Sequence, residues 1–495
     1  EVIMFNYSYD ETNPLSIEKY SQNLIGKTFS DIIRLDSLNT DRIYEDSAEY
    51  SVSHENKKRK GGLGEIIEEC FFHYKCNNDS NPDFDKAGVE LKVTPYKINK
   101  NNTISAKERL SITMINYCSV VNEDFFNSHL WKKAKLILLV YYLYDKNISN
   151  RLDYRINYSK LFTPPKEDIE IIKNDYETIV NKIKEGKAHE LSESDTLYLG
   201  AATKASSSSD RKEQPFSSIK AKPRVFSFKT SYMTSILNTY IIPNKNTYEP
   251  IIKDSDILKG TSFKDYIVDK LNSYIGKSDK ELCELFDRKY NNNKAQWVDL
   301  TYRMLGIKSN QADEFIKANI AVKTIRLGEN EAIRESMSFP PFKFKELVSK
   351  EWEDSDLYKY FSETSILFII FKKKDSEYVF KGCQFWNMPY NDLNTIVFDG
   401  WNAIRNQIID GITFIKKKNK LGIVVSNNLP KKSDNPIIHI RPHAQKSAYL
   451  FNDGTTIGNI QRDANELPDG QWMTTQSFWI NNNYILNQLH KNLIE

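Results

Sequence analysis

The chain has 495 residues, of which 40% are hydrophobic, 27% charged and 12% aromatic, with a net charge of +3. Those values predict about two to four folded domains of roughly 150 residues and exclude a disordered or fibrous protein. The five cysteines, Cys70, Cys76, Cys118, Cys283 and Cys383, lack CxxC spacing, which excludes a disulfide framework and a cysteine zinc site.

No apolar run approaches the roughly 20 residues of a membrane helix, since the longest, Ala134 to Tyr144, contains Lys135. The chain does not open on a basic segment followed by an apolar one, so a cytoplasmic protein without membrane contact is expected.

In chain order, Asn23-Leu-Ile-Gly-Lys27 comes first, leading into an apolar helical stretch to Ile33. The densest chemistry follows in Asn81 to Pro95. Val89 to Thr94 alternates and is rich in β-branched residues, which predicts a strand. Alternate side chains of a strand share a face, so Glu90 and Lys92 lie together while Val89, Leu91 and Val93 face a core. Gly88 marks the turn that starts the strand, and Pro82-Asp83 before it brings a third polar group alongside.

Two carboxylates a few ångströms apart are costly without a cation between them. Mg²⁺ suits such a place, being held by one or two carboxylates together with phosphate and water. It polarises a phosphodiester and acidifies bound water, and the Lys92 ammonium can orient that water and offset transition-state charge. Phosphodiester hydrolysis is the chemistry such a set supports. A lone E-x-K is equally a solvated strand edge.

Lys135–Tyr144 then reads as a buried strand, Phe162-Thr-Pro-Pro165 as a turn, and Asp168–Ile183 as a helix. Tyr198–Lys204 follows, then Ser206-Ser-Ser-Ser-Asp210 with Arg211 and Lys212. That stretch reads as a surface loop, either plain or a basic one that orders on DNA. The half closes on Ser227-Phe228-Lys229 and Thr234 to Leu237.

The order then repeats. Ser273-Tyr-Ile-Gly-Lys277, Ser365–Phe371, Trp386-Asn-Met-Pro389, Trp401–Ile408, Ile437–His443 and Ser477-Phe478-Trp479 match the earlier segments in sequence, the first and last at an offset of 250. A boundary is expected where Pro243, Asn244, Asn246 and Pro250 interrupt the pattern, giving domains 1–245 and 246–495. In the second half Ile320 to Thr324 aligns on Val89 to Val93. Ala321 takes the Glu90 position, Lys323 remains, and the aspartate position falls near Glu314, so that half is expected to be catalytically dead. His439 and His443 flank Pro442 on a strand-like segment, which disfavours a zinc pair. No G-x-x-x-x-G-K-[ST] loop is present, so no nucleotide cofactor is expected.

Three segments together resemble the PD-(D/E)xK nuclease superfamily, and within it the MutH family and the staphylococcal GATC-cutting type II restriction endonucleases. They are Gly61-Gly-Leu-Gly-Glu-Ile-Ile-Glu-Glu69, Pro82-Asp83 with Ala87-Gly-Val-Glu-Leu-Lys-Val-Thr-Pro95, and Ser105-Ala-Lys-Glu-Arg-Leu110. Glu185 to Ser192 and Ser227 to Leu237 again look like the restriction branch, and the likeness spans most of the chain.

The resemblance implies an α/β protein with a duplicated restriction-endonuclease-like fold, a mixed central sheet flanked by helices in each half. It implies Asp83 and Glu90 as metal ligands, Lys92 as the catalytic lysine, and Glu68 as an accessory acid, with Glu65 and Glu69 open alternatives on the same helix. Lys204, Ser227 and Lys229 fall at positions near DNA, and Arg441, His443, Lys446 and Trp479 at the corresponding positions of the second half. The implied activity is Mg²⁺-dependent cleavage of both strands of duplex DNA at GATC, 5′ of the guanine. A monomer in solution that pairs or loops on DNA is implied, its second half binding another site as an allosteric effector or only completing a clamp. A strand-nicking mismatch-repair endonuclease and a non-catalytic DNA-binding regulator are the alternatives.

Overall fold

The computed structural model describes residues 8–39, 62–74, 81–205, 207, 209–242, 248–291, 293–308, 311–419 and 422–495. Gly61, Cys76, Ser206, Ser208, Pro243, Asn244 and Asn246 lie outside the described residues. Among the described residues no helix is long and apolar enough to cross a membrane.

The chain divides into two compact units, one of residues 1–262 with 311–319, the other of 263–310 with 320–495. The division is not a single cut near 245. A short helix beyond that point, Asp313–Ala318, belongs to the first unit because it carries two buried charges whose partners are there. The Glu314 carboxylate accepts the backbone N–H groups of Ile251 and Ile252, each at 2.9 Å, and Lys317 pairs with Asp168 at 2.9 Å.

The first unit opens with α1 (Pro14–Ser21) and α2 (Phe29–Asn39), then α3 (Gly62–Ile66), which runs into a π-turn over Ile67–Phe71. Its strands are β1 (Glu90–Ile98), β2 (Ile104–Ala106), β3 (Leu110–Met114), β4 (Ile137–Leu143), β5 (Ile156–Phe162), β6 (Leu199–Thr203), β7 (Lys212–Gln214), β8 (Ser217–Ala221) and β9 (Arg224–Phe228). A mixed sheet has the order β2-β1-β4-β5, with β1 and β4 parallel and β4 and β5 antiparallel. A separate antiparallel sheet has the order β3-β9-β6. Ile137 to Tyr141 of β4 are wholly buried, as a strand with neighbours on both sides and cover on both faces requires.

α4 (His129–Ala134) precedes β4, and α5 (Lys166–Lys184) follows β5. The α5 helix starts behind Pro165, has Glu167 and Asp168 in its first turn and Lys182 and Lys184 in its last, and so complements its dipole at both ends. Ile171, Ile172, Tyr176, Ile179, Val180 and Ile183 recur at helical spacing and form its buried face. α6 (Thr230–Ile236) follows β9.

The second unit contains α7 (Phe263–Asn272), α8 (Asp279–Leu285) and α9 (Lys294–Met304). Its strands are β10 (Ile320–Leu327), β11 (Met337–Phe342), β12 (Ser365–Lys374), β13 (Glu377–Trp386), β14 (Phe414–Asn419), β15 (Gly422–Asn427), β16 (Ile438–Pro442) and β17 (Gln476–Ile480), with a small sheet between Tyr449 and Thr474. The mixed sheet has the order β10-β12-β13, parallel and then antiparallel, and β11-β17-β16 forms an antiparallel one.

Apart from β2, which pairs with β1 in the first unit only among the described residues, the two units pair these strands in the same order and sense. The Gly-Lys segments 250 residues apart also occupy one structural role. Gly26 donates to Ile156 of β5 and Lys27 accepts from it, while Gly276 donates to Phe380 of β13 and Lys277 accepts from it. Both glycines have positive φ, 86° and 89°, a conformation that strains any side chain bearing a Cβ.

His439 of β16 is 2% exposed, and its Nδ1 lies 2.5 Å from Asn481 Oδ1. Burial, with Arg441 and Lys432 nearby, lowers its pKa to about 4. The histidine is thus a neutral core group. Its folded pKa lies below the unfolded value, so the unfolded chain binds the extra proton and stability falls as the pH drops from about 6.5 towards 4, by up to roughly 3 kcal/mol. His439→Gln should flatten that part of a urea-denaturation profile; a profile as steep as wild type counts against the assignment.

Candidate active site

Six residues lie between Asp83 and Glu90, and a tight loop removes that distance. Phe84 and Val89 exchange backbone hydrogen bonds at 2.9 and 3.2 Å, and the chain reverses through Gly88 at φ 67°. Asp83 is folded back beside β1, where its Oδ2 accepts the backbone N–H of Leu91 at 2.8 Å. Val89 and Leu91 point into the core and Val93 packs against it, which sends Glu90 and Lys92 to the opposite face.

Asp83, Glu90, Lys92 and Glu68 line one cavity of about 580 Å³. Glu90 is 1% exposed; Lys92 Nζ lies 2.5 Å from its Oε1 and Lys133 Nζ lies 3.3 Å from its Oε2. Lys133 stands on α4, a helix capped by the Ser128 side chain, and is carried to the carboxylate by the packing of α4 at the start of β4. Burial pushes the Asp83 carboxyl up, and the neighbouring Glu90 pushes it further, against Lys92 and Lys133. Cavity and charges together form a desolvated carboxylate pair with two ammonium groups on its flank.

Of the three glutamates on α3 and its π-turn, only Glu68 lines the cavity. The π-turn is closed by Phe72 N–H to the Ile67 carbonyl at 3.0 Å. It places Ile66, Ile67 and Cys70 in the core, turns Glu69 outward, and leaves Glu68 over Gly64. The π-turn is a frequent device for aiming functional side chains.

The donor set suits a divalent cation. It is all oxygen, it is anionic, and Glu90 Oε2 is buried without a hydrogen bond. Among the described residues no three His, Cys, Asp or Glu side chains are arranged to hold a metal ion. An ion here would take Asp83 and Glu90, completing its shell with water, backbone and phosphate oxygens.

Lys133 was not legible in the sequence, where a lysine on a short helix resembles any surface lysine. Neither was the pair of Glu123 Oε1 and His129 Nδ1, 2.7 Å apart, whose residues also line the cavity.

The expected DNA-contact residues divide into two groups. Lys204, Arg441 and His443 are exposed; Arg441 Cζ lies 5.4 Å and the His443 ring centre 6.3 Å from the centre of the Trp479 ring. Ser227 and Lys229 are in the core, 0% and 3% exposed. Ser227 bonds the Gly200 carbonyl at 3.5 Å, and Lys229 Nζ donates to the Thr196 carbonyl. Lys229 also offsets the buried Asp175 carboxylate, which accepts the N–H groups of Leu197, Tyr198 and Leu199 at 2.7, 2.7 and 3.0 Å. As the structure places them, the Ser227 and Lys229 side chains hold β6 and β9 in place.

In the second unit the strand register puts Ala321 opposite Ile366 and Lys323 opposite Phe368, as Glu90 stands opposite Ile137 and Lys92 opposite Leu139. The Glu314 carboxylate caps the backbone at Ile251 and Ile252 within the first unit.

Comparison with known proteins places this geometry. The family described as DNA mismatch repair enzyme MutH matches residues 72–175, which hold Asp83, Glu90, Lys92 and Lys133. The chain is 38% identical over 464 residues to the type II restriction enzyme Sau3AI of Staphylococcus aureus, covering 88% of this chain and 93% of that protein. It is 26% identical over 202 residues to the DNA mismatch repair protein MutH of Vibrio parahaemolyticus, covering 40% of this chain and 86% of that one. For the MutH protein of Vibrio campbellii the values are 27% over 194 residues, 38% and 82%. Enzymes of this nuclease class are generally dependent on a divalent metal. The chain belongs to the family of MutH-like type II restriction endonucleases.

Proposed function

We propose that the chain hydrolyses both strands of duplex DNA at GATC, 5′ of the guanine, using Mg²⁺ held by Asp83 and Glu90. The observation that carries this reading is the convergence of Asp83, Glu90, Lys92 and Lys133 in one cavity. A bound divalent cation supplies Lewis-acid activation of the scissile phosphodiester. Asp83 and Glu90 provide the negative site. Lys92, on the same strand face as Glu90, orients the attacking water. Lys133 faces the same carboxylate and offsets the charge that gathers on the phosphoryl oxygens. Glu68 serves as an accessory acid at the cavity wall.

Lys204, beside the β7–β8 hairpin, contacts the DNA backbone, the commonest kind of protein–DNA contact. Arg441 and His443 do the same from the second unit, which binds a second GATC site and stimulates the first. Ala321 supports a non-catalytic role for that unit, since a methyl group holds no metal. The protein is a monomer in solution that pairs or loops on DNA.

Plasmid with several GATC sites, incubated in Mg²⁺ or in EDTA, tests the reading. Discrete fragments ending at GATC only with Mg²⁺ support it. The match to a mismatch repair family favours one second reading, strand nicking, for which open circles alone would speak. Intact plasmid that the protein nevertheless binds would point to a regulator. Lys133→Met should lower the cleavage rate by about 10²-fold, the usual cost of losing one donor to a developing oxyanion. Single-turnover rates at saturating DNA measure this, and a change under threefold would remove Lys133 from the chemistry.

A further inference from the structure

The second unit has a cavity of about 390 Å³ beside β10, the edge strand of its sheet. It contains Lys323, at the position that Lys92 holds on β1. Three cationic residues line it, Lys323 and Arg326 from alternate faces of β10 and the exposed Arg334, against one carboxylate, the exposed Glu335. Among the described residues Lys323 has no carboxylate within ion-pair distance. Its Nζ lies 3.5 Å from the Ser338 carbonyl and 5.9 Å from the centre of the Phe339 ring, and burial lowers its pKa. The Arg326 Cζ lies 4.8 and 5.8 Å from the ring centres of Trp297 and Tyr378, which meet each other edge to face.

The lining also carries hydrogen-bonding atoms that lack partners: Thr324 Oγ1, Ser336 Oγ, Trp297 Nε1 and Trp479 Nε1 are buried and unpaired. These atoms have almost no accessible surface, so a ligand in the cavity would reach them only after local adjustment. All four can donate, and two of them can only donate. With Lys323, Arg326 and Arg334 among the lining residues and Glu335 their one carboxylate, the cavity suits an acceptor-rich anion.

We propose that this cavity binds a phosphate-type oxyanion. The same strand position explains the inversion. In the first unit the lysine faces two carboxylates and the site selects a cation. Here Ala321 replaces the glutamate, no aspartate is among the described residues that line the cavity, and the lysine makes the site select an anion. The ligand is either free phosphate or a phosphodiester of DNA. The second possibility rests on the DNA-binding reading of this unit, and the first does not.

The test uses the full chain carrying Glu90→Gln, in EDTA, with and without Lys323→Met. Inorganic phosphate is titrated by calorimetry, and a GATC duplex is titrated over a range of salt. A phosphate dissociation constant raised at least fivefold by Lys323→Met assigns free phosphate. No phosphate binding, but weaker duplex binding with the salt slope reduced by about one, assigns a phosphodiester. Phosphate and duplex titrations both unchanged by the substitution overturn the proposal. Arg334→Gln, at an exposed position, decides by the same criteria if Lys323→Met does not fold. Wild-type chain that binds no duplex would fail the DNA-binding reading alone, leaving the phosphate titration to decide this one.

Discussion

Glu90→Gln is expected to reduce cleavage of GATC-containing plasmid in Mg²⁺ by at least about 10³-fold, a barrier increase on the order of 4 kcal/mol. Glu90 is 1% exposed and stands between Lys92 and Lys133, so the amide keeps the shape of the site and removes its charge. The variant loses the anionic oxygen that a divalent cation needs and leaves two ammonium groups facing each other. Duplex binding in EDTA should be kept. Cleavage within tenfold of wild type would show that the catalytic carboxylates lie elsewhere. Loss of duplex binding together with activity would point to a folding defect.

Lys317→Ala is expected to destabilise the protein by about 3–5 kcal/mol, the usual result of removing one partner from a buried ion pair. Lys317 Nζ lies 2.9 Å from Asp168 Oδ1 and 2.8 Å from Asp313 Oδ2, and the Tyr232 hydroxyl donates to Asp168 at 3.0 Å. Without the lysine, two carboxylates are left in a desolvated site. Burial already pushes the Asp168 carboxyl up to about 6, and losing Lys317 pushes it higher. A carboxyl whose folded pKa exceeds its unfolded value gains protons on folding, so the deficit should shrink as the pH falls from 7 to 5. Urea denaturation at the two pH values measures both effects. Combining Lys317→Met with Asp168→Asn should recover much of the loss. A single-variant deficit below about 1 kcal/mol would mean that water reaches the pair.

The catalytic strand was readable because its information is local. Alternation from Val89 to Thr94 assigns each side chain to a face, and Gly88 permits the reversal that returns Asp83 to Leu91. The buried run Ile137 to Val140, the amphipathic α5 and the paired Gly-Lys segments were readable for the same reason: period, punctuation and repetition are properties of neighbouring residues.

What the sequence could not assign depends on elements distant in the chain. Lys133 reaches Glu90 across 43 residues only because β4 lies parallel to β1. Ser227 and Lys229 have the composition of a DNA contact, but their surroundings make them core, since three backbone N–H groups and a buried aspartate converge there. Glu314 has the chain position of a vestigial ligand, yet it caps a backbone segment more than 60 residues away. By itself the sequence determined the α/β class, the repeated order of elements and the faces of the catalytic strand. Tertiary structure alone decided which charges are desolvated, which partner each one meets and where the two units divide, because burial and charge pairing act through space and leave no period in the chain.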